Sequence, residues 1–163
     1  MKFRMRASFT GFLAAVLISC MLSACGSTEQ ADELSAYHGS VDSFFDKVAA
    51  CSDYIDTIDP DSEDAPGQFL AAVDELKAAI DDGAQLDAPE EFENAQEMCR
   101  QAAFYMDAAA EQYHLAFESE AFDSQAFANA QDYMNESFGR LDYMVTFLHG
   151  EIPEGMTVTE DTE

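Results

Sequence analysis

The side chains best suited to chemistry in this chain are three histidines, two cysteines and one crowded acidic loop. His38 stands near the start of the first helical pattern and His149 closes the last, so an up-down bundle brings both to the same end. Two imidazoles there can ligate a transition metal, or act as haem axial ligands with Met134 or Met144 deeper in. A metal- or haem-binding bundle built on His38 and His149 is therefore the alternative functional reading. His149 equally suits a helix C-terminus, where an imidazole meets the last carbonyls and the dipole. Glu111-Gln112-Tyr113-His114 forms one Glu-x-x-His motif. A di-iron bundle needs two such motifs and two further glutamates, and the fourth helical segment supplies no second copy.

Asp56, Asp59, Asp61, Glu63 and Asp64 crowd one interhelical loop, a candidate for hard divalent ions. Counted from Asp59, the EF-hand glycine position is Asp64 and the bidentate glutamate position is Leu70, so that motif fails and a solvated linker is the other reading. Met98, Met106, Met134 and Met144 with Phe104, Phe117, Phe138 and Phe147 can line an apolar groove or simply form core. Phe45, Tyr54, Met98, Phe104, Tyr105, Leu115, Phe122, Tyr133, Tyr143 and Phe147 fall beside or outside the narrow helix seams. That surplus suggests wide apolar faces or an exposed patch for a partner. No Ser-His-Asp arrangement, Gly-rich phosphate loop or two-His zinc motif appears. Neither an enzymatic activity nor a cofactor is expected.

Charge narrows the partners. Among the 163 residues, 33 are Asp or Glu and 7 are Lys or Arg. Lys2, Arg4 and Arg6 precede any acid. From Cys25 onward only Lys47, Lys77, Arg100 and Arg140 remain against all 33 acids, a balance of −29. Nucleic acid is excluded as a natural partner, because polyanion binding depends on neutralising phosphates with Lys and Arg. Cationic proteins, cationic peptides or divalent ions are favoured. A 48% hydrophobic fraction with 13 Phe argues for a folded domain despite this charge.

The first 26 residues carry a second kind of signal. A cationic start, an apolar run through Phe12–Ile18 and then Leu22-Ser23-Ala24-Cys25-Gly26 follow in order. The run is too short for a confident membrane span. This segment resembles the signal peptide and lipobox of bacterial lipoproteins. The resemblance implies cleavage after Ala24 and acylation of Cys25, with chains such as palmitate. Two or more chains hold a protein stably in a bilayer, at about 0.8 kcal/mol per buried CH₂. It also implies an extracytoplasmic domain on the cell membrane or the outer membrane.

Elements follow from periodicity. Residues 1–24 read as signal peptide, 25–30 as lipidated Cys and tether, 31–150 as the folded domain and 151–163 as a flexible acidic tail. Apolar residues recur in steps of three and four over about 31–58, 66–82, 89–118 and 122–149. Leu34, Val41, Val48 and Ile55 mark one line of the first helix; Tyr37, Phe44, Cys51 and Ile58 mark the other. The third helix sets Phe92, Cys99, Met106 and Tyr113 beside Ala95, Ala102, Ala109 and Ala116, which lets a neighbour approach closely. The fourth runs through Phe127, Ala130, Met134, Phe138, Leu141, Met144 and Leu148. Asp-Ala-Pro-x-x-Phe at 64–69 and 87–92 marks two helix starts. The expected fold is all-α, an antiparallel up-down four-helix bundle.

Cys51 and Cys99 both lie on seam lines. Counting about 1.5 Å of rise per residue from the turns places them within one or two turns of the same level. In an oxidising setting a bridge over 48 residues contributes about 4 kcal/mol in the chain-entropy model; two buried free thiols are the other reading. Together these features describe a non-catalytic, lipid-anchored binding bundle of the cell envelope. Replacing Cys25→Ser is expected to move the protein from the membrane pellet to the soluble fraction. Retention in the pellet would contradict the lipid anchor.

Overall fold

The computed structural model describes residues 28–154 and 156. The lipobox with Cys25, and Thr157–Glu163, lie outside the described residues. Four helices, α1 (Thr28–Thr57), α2 (Ala65–Ala84), α3 (Glu93–Glu118) and α4 (Ser124–Leu148), account for most of the described residues, with one 3₁₀ turn at Glu90–Phe92. Among the described residues there is no strand, and no helix is long and apolar enough to cross a membrane. Short connections reverse the chain three times, giving the antiparallel four-helix bundle.

The α3–α4 pair makes the closest approach in the bundle, and α2 on α3 and α1 on α2 follow. The cause is side-chain volume. Ala95, Ala102, Ala109 and Ala116 on α3 are buried, as are Ala126 and Ala130 on α4. Small side chains let two backbones close on each other along most of their length. Elsewhere the seams are filled by larger residues: Val41, Phe44 and Val48 from α1, and Phe69, Val73, Leu76 and Ile80 from α2. Seam residues of all four helices join one continuous apolar cluster.

Close approach also sets the middle of α4. The sequence pattern puts Phe138 on its seam, but Phe138 is only half-buried and Ser137 is fully buried in its place. The Ser137 hydroxyl donates to the Ala102 carbonyl of α3 at 2.8 Å. A phenyl ring cannot enter there. The hydroxyl can, because its polar group finds a partner inside the core.

At the end holding the start of α1, the end of α2 and the start of α3, one side chain joins three elements. Gln96 is fully buried. Its Nε2 donates to the Gly83 carbonyl in the last turn of α2 at 2.9 Å, and its Oε1 accepts from the Tyr37 hydroxyl of α1 at 3.2 Å. Tyr37 in turn stacks on Phe92, centroids 5.5 Å apart. At the opposite end Phe69, Tyr113, Phe117, Phe122 and Phe127 form a chain of ring contacts, with centroids 4.9 to 5.8 Å apart, across the α3–α4 turn.

Helix ends follow local chemistry, and three differ from the sequence reading. The α1 helix begins at Thr28, inside the stretch expected to be tether. The α3 helix begins at Glu93 rather than 89, because Pro89 is extended (φ −57, ψ 152) and the chain passes first through the 3₁₀ turn. The expected tail is not free from its start. Gly150, at φ +75, ends α4 in a Schellman motif: Glu151 N–H bonds Thr146 O, and Gly150 N–H bonds Phe147 O. That reversal buries Pro153 and packs Met156 on the core. Asp123 caps α4 by accepting from the amides of Gln125 and Ala126.

The Phe44 ring lies directly over Gly83. A Cβ on residue 83 would fall 2.5 Å from Phe44 Cε2, a separation that packed carbon atoms do not adopt. Gly83→Ala is therefore expected to lower stability by about 1–3 kcal/mol through overpacking, despite the higher helix propensity of alanine. Thermal melting of the variant beside the parent checks this, and an unchanged or raised Tm would refute the Phe44–Gly83 contact.

Candidate functional site

The four cations from Cys25 onward are all held by acids of the same chain. Lys47 faces Asp82 across α1 and α2 at 3.7 Å. Lys77 on α2 reaches Asp81 on its own helix and Asp107 on α3, both at 2.6 Å. Hydrogen bonds to Asp107 and Asp81 raise its ammonium pKa well above the ordinary lysine range. Arg100 holds Glu93 at 2.6 Å and Glu97 at 2.9 Å. Arg140 lies 3.6 Å from Glu136, with its guanidinium 5.5 Å from the Tyr105 ring centre and 5.7 Å from that of Tyr143. Among the described residues most carboxylates therefore have no Lys or Arg of their own.

His114 is the other positive pivot, and its role differs from the sequence reading. Glu111, its partner in the Glu-x-x-His motif, points to solvent. His114 instead lies between two other carboxylates: Nδ1 is 3.0 Å from Glu118 and Nε2 is 3.1 Å from Asp74 on α2. Both ring nitrogens can donate at once only in the imidazolium form. Glu118 and then Asp74 accordingly raise the His114 pKa above its usual value. Sequence spacing shows the pair His114–Glu118, whereas Asp74 enters only through the packing of α2 on α3.

The other candidate ligands are not gathered. His38 packs its ring edge-on to Phe92, centroids 5.1 Å apart. His149 is the exposed C-cap of α4, its amide bonded to late carbonyls of the helix. In the loop, Asp56, Asp59, Asp61, Glu63 and Asp64 are exposed, and Asp59 Oδ1 accepts from the Asp61 amide. That Asx turn spreads the side chains outward instead of converging them. Among the described residues no three of His, Cys, Asp and Glu assemble as a metal-binding group.

Cys51 and Cys99 are free thiols. The expectation of a shared level is corrected by the tie between α1 and α3. Gln96 and Cys99 sit beside Tyr37, and Cys51 lies 14 residues further along α1, roughly 20 Å at the helical rise. A disulfide requires Cα atoms within about 7 Å. Burial pushes the Cys99 thiol up to about 12, and burial with the nearby Glu75 raises that of Cys51. Both remain protonated and poorly nucleophilic.

One surface departs from ordinary solvent-facing polarity. Of the large apolar residues that stand exposed, Phe104 (70%), Leu115 (49%) and Tyr133 (39%) belong to the α3–α4 pair. Phe104 meets Tyr105 edge to face at 5.6 Å, and Tyr105 continues through Arg140 to Tyr143. An aromatic surface therefore crosses from α3 to α4 without interruption. A second concavity, about 320 Å³ between α1 and the end of α2, is lined by small residues such as Gly39, Ser40 and Ser43 over Phe44, with Lys47 and Asp82 at its rim. Its serine hydroxyls are turned back onto the α1 backbone, Ser40 to Ala36 O and Ser43 to Gly39 O.

Compared with protein-family models, curated proteins and solved structures, the chain matches none.

The His114 clamp has a definite pH dependence. Its folded pKa is raised, so its stabilisation is fully present below the unfolded value near 6.5 and is lost as pH rises through the folded value. The parent is expected to lose Tm relative to His114→Gln across that interval, by roughly 1–3 °C for a solvent-screened cluster. Parallel Tm-against-pH curves would refute the clamp.

Proposed function

We propose that the chain is a lipid-anchored, extracytoplasmic helical bundle of the bacterial cell envelope, acting by binding cationic partners and not by catalysis. The observation that carries this reading is the internal use of every cation from Cys25 onward. Lys47, Lys77, Arg100 and Arg140 are each paired with a carboxylate of the same chain, and the remaining acid surface is uncompensated. Such a field attracts positive partners over a Debye length, about 8 Å at physiological ionic strength, and repels negative ones. The lipobox resemblance supports the anchor. Because α1 begins at Thr28, three residues after Cys25, the bundle would stand close to the bilayer.

Titratable groups that catalysis would need are engaged otherwise. His114 is locked between two carboxylates, and both thiols are held protonated. This supports a role in recognition.

The test is a titration of the native lipidated protein, in non-ionic detergent, with fluorescent oligolysine at 50 and 150 mM salt. Binding at low salt that weakens several-fold at the higher salt is expected from screening. No binding at 50 mM salt would refute the cationic-partner reading.

A further inference from the structure

We infer that the outward face of the α3–α4 pair is a docking surface for a cationic amphipathic helix, an inference that rests on the cationic-partner reading above. Phe104 and Leu115 are 11 residues apart, three helical turns, so their directions on α3 differ by only about 20°. They stand on one stripe, separated by roughly 16 Å along the axis. Glu111 lies between them on that stripe and is exposed; Glu97 shares the stripe but is held by Arg100 and Gln101. An acid thus stands between two apolar anchors on α3, the pattern that an amphipathic helix meets with Lys or Arg between its own apolar residues.

The same face already holds one cation. Arg140 is seated between the rings of Tyr105 and Tyr143 beside Glu136. Its surroundings combine aromatic faces and a carboxylate, the environment that favours a guanidinium. Phe104, in edge contact with Tyr105 and 70% exposed, extends that aromatic surface outward. A partner's Lys or Arg is offered the same combination there, from Phe104 with Glu111.

Charge complementarity selects the occupant. A second copy of the chain would bring another −29 from Cys25 onward against the first. An anionic lipid surface would be repelled in the same way. A cationic amphipathic helix satisfies both components of the surface: its apolar side covers Phe104 and Leu115, and its Lys or Arg meet Glu111. The groove between α1 and α2 offers no comparable surface, since its apolar floor is edged by the already paired Lys47 and Asp82.

The test uses the full lipidated protein in non-ionic detergent at 150 mM salt. Two probes of equal charge are compared: an 18-residue Lys/Leu amphipathic helix and an oligolysine. The variants are Phe104→Ser/Leu115→Ser and, as a control on α1, Tyr54→Ser, which is also exposed. Circular dichroism confirms that each remains helical. The parent is expected to prefer the amphipathic probe by about ten-fold, the scale of one or two interface anchors. Phe104→Ser/Leu115→Ser should abolish that preference and leave oligolysine binding intact, while Tyr54→Ser changes neither. A preference that survives the double substitution, or is lost equally with Tyr54→Ser, overturns the docking face. Continued oligolysine binding in that case leaves the broader reading standing. Failure of the parent to bind either probe at 150 mM salt overturns the docking face, and failure to bind oligolysine at 50 mM salt as well sinks both. A parent dimer, seen by sedimentation and dissolved by the double substitution, would assign the face to a second copy and overturn the inference.

Discussion

The narrow seam between α3 and α4 is the constraint on which the rest of this structure depends. Buried alanines, among them Ala95, Ala102, Ala109 and Ala116 on α3 and Ala126 and Ala130 on α4, let these two helices make the most extensive contact in the bundle. A seam so narrow has room for Ser137 but not for Phe138 at its middle, and for the Ala102 carbonyl to receive the serine hydroxyl. Phe104, Leu115 and Tyr133 stand on the outer sides of the two helices, turned away from that seam and exposed. Their apolar surface is left where a partner can reach it.

Electrostatics shapes the same molecule differently. An acid excess of this size disfavours compaction through self-repulsion. Three groups counter it between helices: Lys47 joins α1 to α2, Lys77 joins α2 to α3, and His114 repeats the α2–α3 tie further along. Arg100 and Arg140 pair with acids of their own helices. Such solvent-screened pairs are individually worth no more than about 1 kcal/mol, but the three interhelical ties lie where two acidic helices would otherwise repel. The buried Gln96 performs the corresponding task without charge, closing the last turn of α2 and holding α1 through Tyr37.

Most of the architecture was legible in the sequence because the heptad lines are clean. Val41, Val48, Phe69, Val73, Leu76, Ile80, Cys99, Met106, Tyr113, Leu141 and Met144 occupy the core as their spacing predicts. The alanine line pointed to a close neighbour of α3 without saying which helix it is, and the surplus of large apolar residues fitted wide apolar faces as well as an exposed patch. Polar residues in the core were not legible. Gln96 and Ser137 look like surface residues until their partners, Gly83, Tyr37 and Ala102, are brought near by tertiary packing. The relative level of Cys51 and Cys99 failed for a related reason. Counting from turns treats helices as rulers laid side by side, whereas the Tyr37–Gln96 bond fixes the actual register of α1 against α3. His114 drew attention through Glu111, four-helix metal chemistry being the pattern in view; its true partners, Asp74 and Glu118, lie on the other side of the ring.

Amide hydrogen exchange of the full chain, read residue by residue, tests the central claim most directly, because exchange free energies rank how strongly each helix is held. If the alanine seam organises the bundle, the slowest amides lie in the facing middle turns of α3 and α4, around Ala102–Ala109 and Ala130–Leu141, and α1 opens at lower free energy. Slowest exchange in α1 and α2, with α3 and α4 opening first, would contradict it.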